Sequence, residues 1–352
     1  MSEPVIVAPQ VRDLEELSGS LVEWLGTKMP QIRSIRIENL RYPLGAGMSH
    51  ETILFDAYWN EGAGEQRHGL VVRIKPTRHL VYQDDMFDSQ YRLMQTMHES
   101  GLVRVAQPLW LEHDPTLLGA PFFVMKQVAG RVAVSYPPYA QQGWVVEATP
   151  AQRQRMWKDS VTQLAYIQKI PLSSVGYLNL PGEFAENFDQ EVDRWRRYLD
   201  WVDPDGRLQL LRDGFSRLLA ARPQNRPEGI VWGDARLGNM MIGDDYTVAA
   251  VMDWEQPSLG GALHDLGWWL ISDFNQTIAR GIPTPEGMGS REETIALWSE
   301  VCGKSAADIE WYETFVVFKQ ECLGLRMATW KEMPAQIANT VPGTRVAQYL
   351  SR

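Results

Sequence analysis

Asp234, Asn239 and Asp253 constrain this chain more tightly than any other feature in it. An apolar, strand-like run (Ile230, Val231, Trp232) ends in Gly233-Asp234, and Asn239 follows five residues after the aspartate. A second apolar run, 240–242, leads into a turn at Gly243-Asp244-Asp245, and a third, 248–252, delivers Asp253. Turn chemistry alone often places one Asp or Asn between two strands. Three such residues at this spacing on a strand–loop–strand frame ask for a further reason.

Phosphoryl transfer from ATP supplies one. Little covalent chemistry falls to the protein in that reaction, so positioning and charge neutralisation dominate. One carboxylate must take the proton from, or orient, an attacking hydroxyl, and Asp234 fits that role. Two oxygen ligands must hold the magnesium that bridges the phosphates. Mg²⁺ prefers few, hard oxygen donors, and Asn239 and Asp253 fit.

The stretch resembles the aminoglycoside phosphotransferase and choline kinase-like group, the small-molecule relatives of protein kinases. It is most similar to the branch that includes the kinase-like domains fused to some acyl-CoA dehydrogenases. That branch reads His or Trp, then Gly-Asp-x-Arg-x-Gly-Asn, then Asp-Trp-Glu, then an Asp before aromatic residues. Here these are Trp232 to Asn239, Asp253-Trp254-Glu255 and Asp265. Gly119-Ala120-Pro121-Phe122-Phe123-Val124-Met125 is nearly identical to the family's version, and Leu44 to Thr52 is similar to its Gly-Gly-x-Ser-x-Glu-Thr loop.

The resemblance implies an α+β, two-lobed protein-kinase-like fold that uses ATP and Mg²⁺. The N-lobe, 1–127, would hold a mostly antiparallel sheet, and the C-lobe, 128–352, would be largely helical. It implies that Arg236 neutralises charge as the phosphoryl bond breaks, and that Asp265 braces the catalytic loop. Gly45, Ala46, Gly47, Met48 and Ser49 would cradle phosphates, because glycines let backbone N–H groups come close to phosphate oxygens. The cation on the α and β phosphates would be Arg73, with Lys75 as the alternative. Both lie on one face of the strand at 70–76, since side chains alternate. The backbone of a hinge at Lys126, Gln127 and Val128 would meet the adenine edge, and Glu255 is a candidate substrate contact.

Three positions depart from the family. Trp232 stands where His is usual, Gly260-Gly261-Ala262 replaces Gly-Asp-Pro, and Gln90 takes the place of the helix Glu that orients the phosphate-binding cation. Gln90 and Trp232 suit an alternative, a nucleotide-binding pseudokinase with a regulatory role. A scaffold that uses the fold as a platform is a third reading.

A net charge of −10 argues against nucleic acid as the main partner. It is compatible with a cationic substrate, though an acidic balance is more commonly just a soluble surface. Cys302 and Cys322 are the two cysteines, without metal-ligand spacing or a disulfide framework, which fits a reducing cytoplasm. Residues 1–10 lack the pattern of a signal peptide, and no apolar run approaches the roughly 20 residues of a membrane helix. The expected partner is a small hydroxylated molecule; the sequence leaves the oligomeric state open.

Elsewhere, periodicity predicts helices at 11–28, 84–99, 188–201, 208–221, 263–271 and 309–330, with one opened by Thr149-Pro150. Strands are expected at 35–37, 53–59, 70–76 and 105–112. Residues 171–186 read as a loop, and 273–289 as a mobile, substrate-contacting segment. Ser290 and Glu293 form a capping box. Trp195, Trp201, Trp254, Trp268, Trp269, Trp311 and Trp330 give the second lobe an aromatic character. Core burial is the common fate of Trp, while some could line a cleft for a hydrophobic alcohol or hydroxyacyl group.

Overall fold

The computed structural model describes residues 12–43, 50–60, 62, 64–78, 80–180, 182–329 and 342–351. The chain opens with α1 (Leu14–Lys28), β1 (Ile35–Arg41), β2 (Glu51–Asn60) and β3 (Glu65–Ile74). Next come α2 (Phe87–Ser100), β4 (Pro108–Glu112), the short α3 (Pro115–Leu118), β5 (Phe122–Lys126) and β6 (Arg131–Val132). The helices α4 (Trp144–Glu147), α5 (Pro150–Ile167), α6 (Asn187–Val202) and α7 (Gln209–Ala220) follow. Then β7 (Met240–Ile242) and β8 (Val248–Val251) precede α8 (Leu263–Gln276), α9 (Arg291–Cys302), α10 (Ile309–Ala328) and α11 (Thr344–Tyr349).

By internal contacts the chain divides into Met1–Val81 with Ala106–Ala129, and Tyr82–Val105 with Gly130–Arg352. The first unit is a five-stranded sheet in the order β1-β2-β3-β5-β4, antiparallel throughout. The alternation of β2 buries Ile53, Phe55 and Ala57 on one face, where Leu17, Leu21, Trp24 and Leu25 of α1 join the same core. Those four residues recur at helical spacing, and Asp13 starts the helix by accepting from the N–H groups of Glu15 and Glu16.

Glu112 ties the end of β4 to α1. Its Oε2 accepts from Trp24 Nε1 at 3.0 Å and pairs with Lys28 Nζ at 2.9 Å, while Oε1 takes the N–H groups of His113 and Asp114. The Trp24 and Lys28 hydrogen bonds lead in pulling its carboxyl down to about 2 from an ordinary 4.5. A carboxyl depressed on folding stabilises above its unfolded value, and that stabilisation is lost as pH falls through the folded value. Glu112→Gln is expected to lower stability at neutral pH by about 1–2 kcal/mol, after allowing for solvent screening. Melting curves of the two proteins should converge as pH approaches about 2, the value to which Glu112 is depressed; a constant gap would refute this role.

In the second unit, Thr96 Oγ1 of α2 lies 2.9 Å from Tyr177 Oη, and Arg92 of the same helix stacks over the Tyr177 ring. Thr149 and Gln152 form a reciprocal capping box at the start of α5, and Ser290 and Glu293 do the same for α9. The β6-β7-β8 sheet supports the hairpin that leads to Asp253.

Several elements differ from expectation. Residues 230–232 form no strand: Val231 makes a single antiparallel bridge to Ser258, and no further pairing extends it among the described residues. The helix begun at 263 continues to Gln276, and a 3-10 turn at Ile278–Arg280 follows, so the first part of 273–289 is ordered structure. Two 3-10 turns, Leu172–Ser174 and Gly176–Leu178, occupy the loop at 171–186. The strand in 105–112 is confined to β4.

Candidate active site

Asp265, in the first turn of α8, is 1% exposed. Its Oδ2 accepts from the Trp232 N–H at 2.5 Å and its Oδ1 from the Gly233 N–H at 2.9 Å. Burial raises this carboxyl to about 7, against the lowering effect of the two N–H groups. Gly233 has φ 104°, and a Cβ there would lie 2.7 Å from the Gln256 carbonyl oxygen, so the turn requires glycine.

That turn presents Asp234. Its Oδ1 accepts from Trp268 Nε1 at 2.8 Å. Its Oδ2 accepts from Asn239 Nδ2 at 2.6 Å and Arg236 Nε at 3.0 Å. Arg236 also donates to Ser135 Oγ at 2.9 Å. Burial works against the Arg236 charge, but the neighbouring Asp234 and Asp253 carboxylates outweigh it and raise its pKa. Asn239 ends a 3-10 turn, Leu237–Asn239, and its Nδ2 also reaches the Asp234 carbonyl oxygen at 3.0 Å. With the nitrogen so used, its Oδ1 makes no hydrogen bond among the described residues.

Asp253 follows β8 with φ 64°, a left-handed conformation uncommon for a residue other than glycine. The Met252 N–H donates to the Asn239 carbonyl at 2.9 Å, tying the two segments together. Trp232, fully buried, donates Nε1 to the carbonyls of Met252 at 2.9 Å and Asp253 at 3.2 Å. Its indole N–H therefore holds the backbone under Asp253. At a second of the three departures from the family pattern, a Cβ on Gly260 would lie 2.4 Å from Glu191 Cβ, so the close approach of α6 requires glycine. Glu255 is buried and lies outside the residues that line the cleft described below. Tyr82 joins this group: desolvation first, then the charges of Glu255, Asp234 and Asp253, push its phenol well above its ordinary value.

A cleft of about 640 Å³ opens beside Asp234 and Arg236. Trp157, Trp268 and Trp269 contribute aromatic surface, and Arg280 and Arg345 contribute further guanidinium groups. Asp273 also lines it, but it accepts a hydrogen bond from Tyr139 Oη, and burial raises its pKa. Trp195, Trp254 and Trp311 are core residues, and Trp330 lies outside the described residues.

In the first unit, Arg73 sits on β3 opposite Thr52 and Phe123, with Nη2 3.3 Å from His50 Nδ1. Desolvation, then the charges of Arg73 and Lys75, hold His50 well below its ordinary pKa. The Lys75 N–H donates to the Pro121 carbonyl at 2.9 Å. Lys126 ends β5 and donates its N–H to Gln107, and the Gln127 N–H donates to Gly69, both at 2.9 Å; Val128 follows, half-buried. Gly45, Ala46, Gly47, Met48 and Ser49 lie outside the described residues.

The structure thus joins Asp234, Arg236 and Asn239 by direct hydrogen bonds, and Asp265 and Asp253 through backbone groups. Sequence reasoning had no role for Tyr82 or Ser135 and named Trp268 only as a candidate cleft residue. A signal for Trp268 existed: it stands three residues after Asp265, on the same helix face. Asn239 Oδ1 and the Asp253 carboxylate are hard oxygen donors of the kind magnesium takes. Among the described residues there is no group of three or more His, Cys, Asp or Glu that could hold a metal, and magnesium bound on phosphates does not need one.

An antiparallel sheet unit and a helical unit bearing this Asp–Asn–Asp loop system define the two-lobed protein-kinase-like fold of small-molecule phosphotransferases. The family model described as "Phosphotransferase enzyme family" matches residues 50–300, and the chain belongs to that family. It is similar to a probable acyl-CoA dehydrogenase, IBR3, of Arabidopsis thaliana, at 23% identity over 294 residues. That match covers 78% of this chain and 34% of the relative, so the chain spans about a third of the curated protein's length. Among solved structures, a putative aminoglycoside phosphotransferase from Ralstonia eutropha JMP134 is similar in fold, with TM-score 0.68 and 22% identity over 96% of both chains. A thermostable mutant of aminoglycoside phosphotransferase APH(4)-Ia, in a ternary complex with ADP and hygromycin B, has TM-score 0.57 and 13% identity over 94% of this chain and 98% of its own. No helix among the described residues is long and apolar enough to cross a membrane.

Proposed function

We propose that this protein transfers the γ-phosphoryl group of ATP to a hydroxyl of a small molecule. The observation that carries this reading is the hydrogen bonding of Asp234, which lines the cleft. An ionised carboxylate offers about four acceptor positions. Trp268, Asn239 and Arg236 occupy three, which fixes the group and leaves one for the proton of an acceptor hydroxyl. Fixing the base before the reaction is the way such a site gains rate.

Asn239 Oδ1 and Asp253 would hold magnesium, which neutralises phosphate charge when bound. Arg236 is placed to offset charge that develops on the transferred group. Arg73 and residues 45–49 would hold the nucleotide phosphates, with Lys126, Gln127 and Val128 beside the adenine.

An aminoglycoside site would bring several carboxylates together on amines. This cleft is lined by three tryptophans and three guanidinium groups among many polar side chains, while its second carboxylate, Asp273, is taken by Tyr139. It suits a hydrophobic alcohol or hydroxyacyl compound better than a polycation. The second reading, a nucleotide-binding pseudokinase, is favoured by Gln90: its buried amide has no hydrogen-bond partner among the described residues and brings no charge.

The test is ATP turnover with magnesium against aminoglycosides, choline-like amines, hydrophobic alcohols and hydroxyacyl thioesters. Acceptor-dependent ADP release is expected; nucleotide binding without it, across all four classes, would favour the pseudokinase. Trp268→Phe removes one donor from Asp234 and should lower kcat roughly tenfold or more, since a hydrogen bond to a charged group contributes about 1.5–3 kcal/mol. ATP affinity, measured by calorimetry, should stay unchanged; equal kcat values would exclude the indole from the mechanism.

A further inference from the structure

On α6, Glu191, Arg194, Trp195 and Tyr198 recur at the spacing of one helix face, and all four are buried. Aromatic and aliphatic residues alone could pack such a face. Instead it carries a carboxylate and a guanidinium whose side chains are 2% and 4% exposed.

Arg194 directs its N–H groups at separate segments. Nη1 donates to the Gln256 carbonyl and Nη2 to the Pro257 carbonyl, both at 3.1 Å, while Nε donates to Asp84 Oδ2 at 3.2 Å. Arg197, on the same helix, also holds Asp84, at 2.8 Å. Glu191 accepts from Ser258 Oγ and from Lys319 Nζ of α10, both at 2.7 Å, and from Trp195 Nε1 at 2.9 Å. Residues 256, 257 and 258 are therefore gripped in succession by neighbouring turns of α6.

The gripped segment follows directly on Asp253 and Glu255. At its far end, Ser258 exchanges both backbone hydrogen bonds with Val231, which leads into Asp234. Asp84, the other target of Arg194, stands just beyond Tyr82. Replacing a buried ion pair with apolar residues of similar volume is often neutral or stabilising, so stability alone does not account for these charges. A guanidinium fork fixes the direction of two successive carbonyls, which no apolar side chain can do.

We infer that Arg194 is a positioning residue for the reaction. Through the Gln256 and Pro257 carbonyls and the Asp84 carboxylate it sets where Asp253, Glu255 and Tyr82 stand, while Glu191, itself held by Lys319, anchors the same segment at Ser258. Only the kinetic consequence rests on the phosphotransferase reading.

Hydrogen exchange on the full chain tests the geometry directly. In Arg194→Met, the Met252 and Ser258 amides should exchange tenfold faster or more, with little change elsewhere in the second unit. Arg194→Lys keeps the charge without the fork, so it should restore the melting temperature but neither return exchange to the wild-type rate nor restore turnover. In both variants kcat should fall roughly tenfold with the acceptor KM nearly constant. Asp84→Asn should act in the same direction more weakly, and it decides the matter if Arg194→Met does not fold. Unchanged exchange at both amides, or a lower melting temperature with kcat per folded molecule intact, would overturn the inference. If the wild-type protein shows no turnover, the phosphotransferase reading fails, while the exchange comparison still decides the role of Arg194.

Discussion

Asp234→Asn is expected to reduce acceptor-dependent ADP release by about 10²–10⁴-fold, the usual range for loss of a positioned general base. ATP affinity should change little, because Asp234 is assigned none of the proposed phosphate contacts. The substitution keeps the volume of the side chain but turns one acceptor oxygen into an NH₂ group. That group would face either Trp268 Nε1, which donates to Oδ1, or the donors from Arg236 and Asn239, which both meet Oδ2. Turnover and calorimetric ATP titration on the same preparations separate the two effects. Equal turnover by the two proteins would remove Asp234 from the role of base.

Asp265→Ala should have the largest combined effect on stability and activity. It leaves the Trp232 and Gly233 N–H groups without their buried acceptor. An unsatisfied buried donor costs about 1–3 kcal/mol, so the pair should cost roughly 2–4 kcal/mol in a urea titration. The turn that aims Asp234 would also be freed, and kcat should fall about 100-fold or more, since small misplacements of a reacting group are costly. A variant with wild-type stability would show that these N–H groups find other partners.

The pH dependence of the same residue has a defined sign. Its carboxyl is raised on folding, from 3.8 to about 7, chiefly by burial. The folded state therefore holds the proton more tightly over that window, and this contribution to stability declines as pH rises through it. Asp265→Asn, which cannot titrate, should flatten that part of the stability profile. An identical slope in both proteins would mean that the group stays ionised on its two N–H donors.

The candidate reacting groups were legible in the sequence because the chemistry proposed for them fixes residue type and spacing together. Asp234, Asn239 and Asp253 lie on one short loop–hairpin–loop path, so separation along the chain nearly determines separation in space. Capping boxes at Thr149 and Ser290 were legible for the same reason, as local hydrogen bonds confined to one helical turn. The strand expected at 230–232 failed because an apolar run specifies burial but not a pairing partner.

What the sequence determined by itself was the family pattern, the reaction class it implies and the location of the candidate base and metal ligands. The tertiary structure alone decided what holds them. Trp232 supports the backbone of Asp253, Trp268 fixes Asp234, and Arg194 grips the segment beyond Glu255. Each of these contacts joins residues 21 to 62 positions apart in the chain. The last two depend on how helices α8 and α6 pack, and all three are a collective result of core burial that no local spacing records.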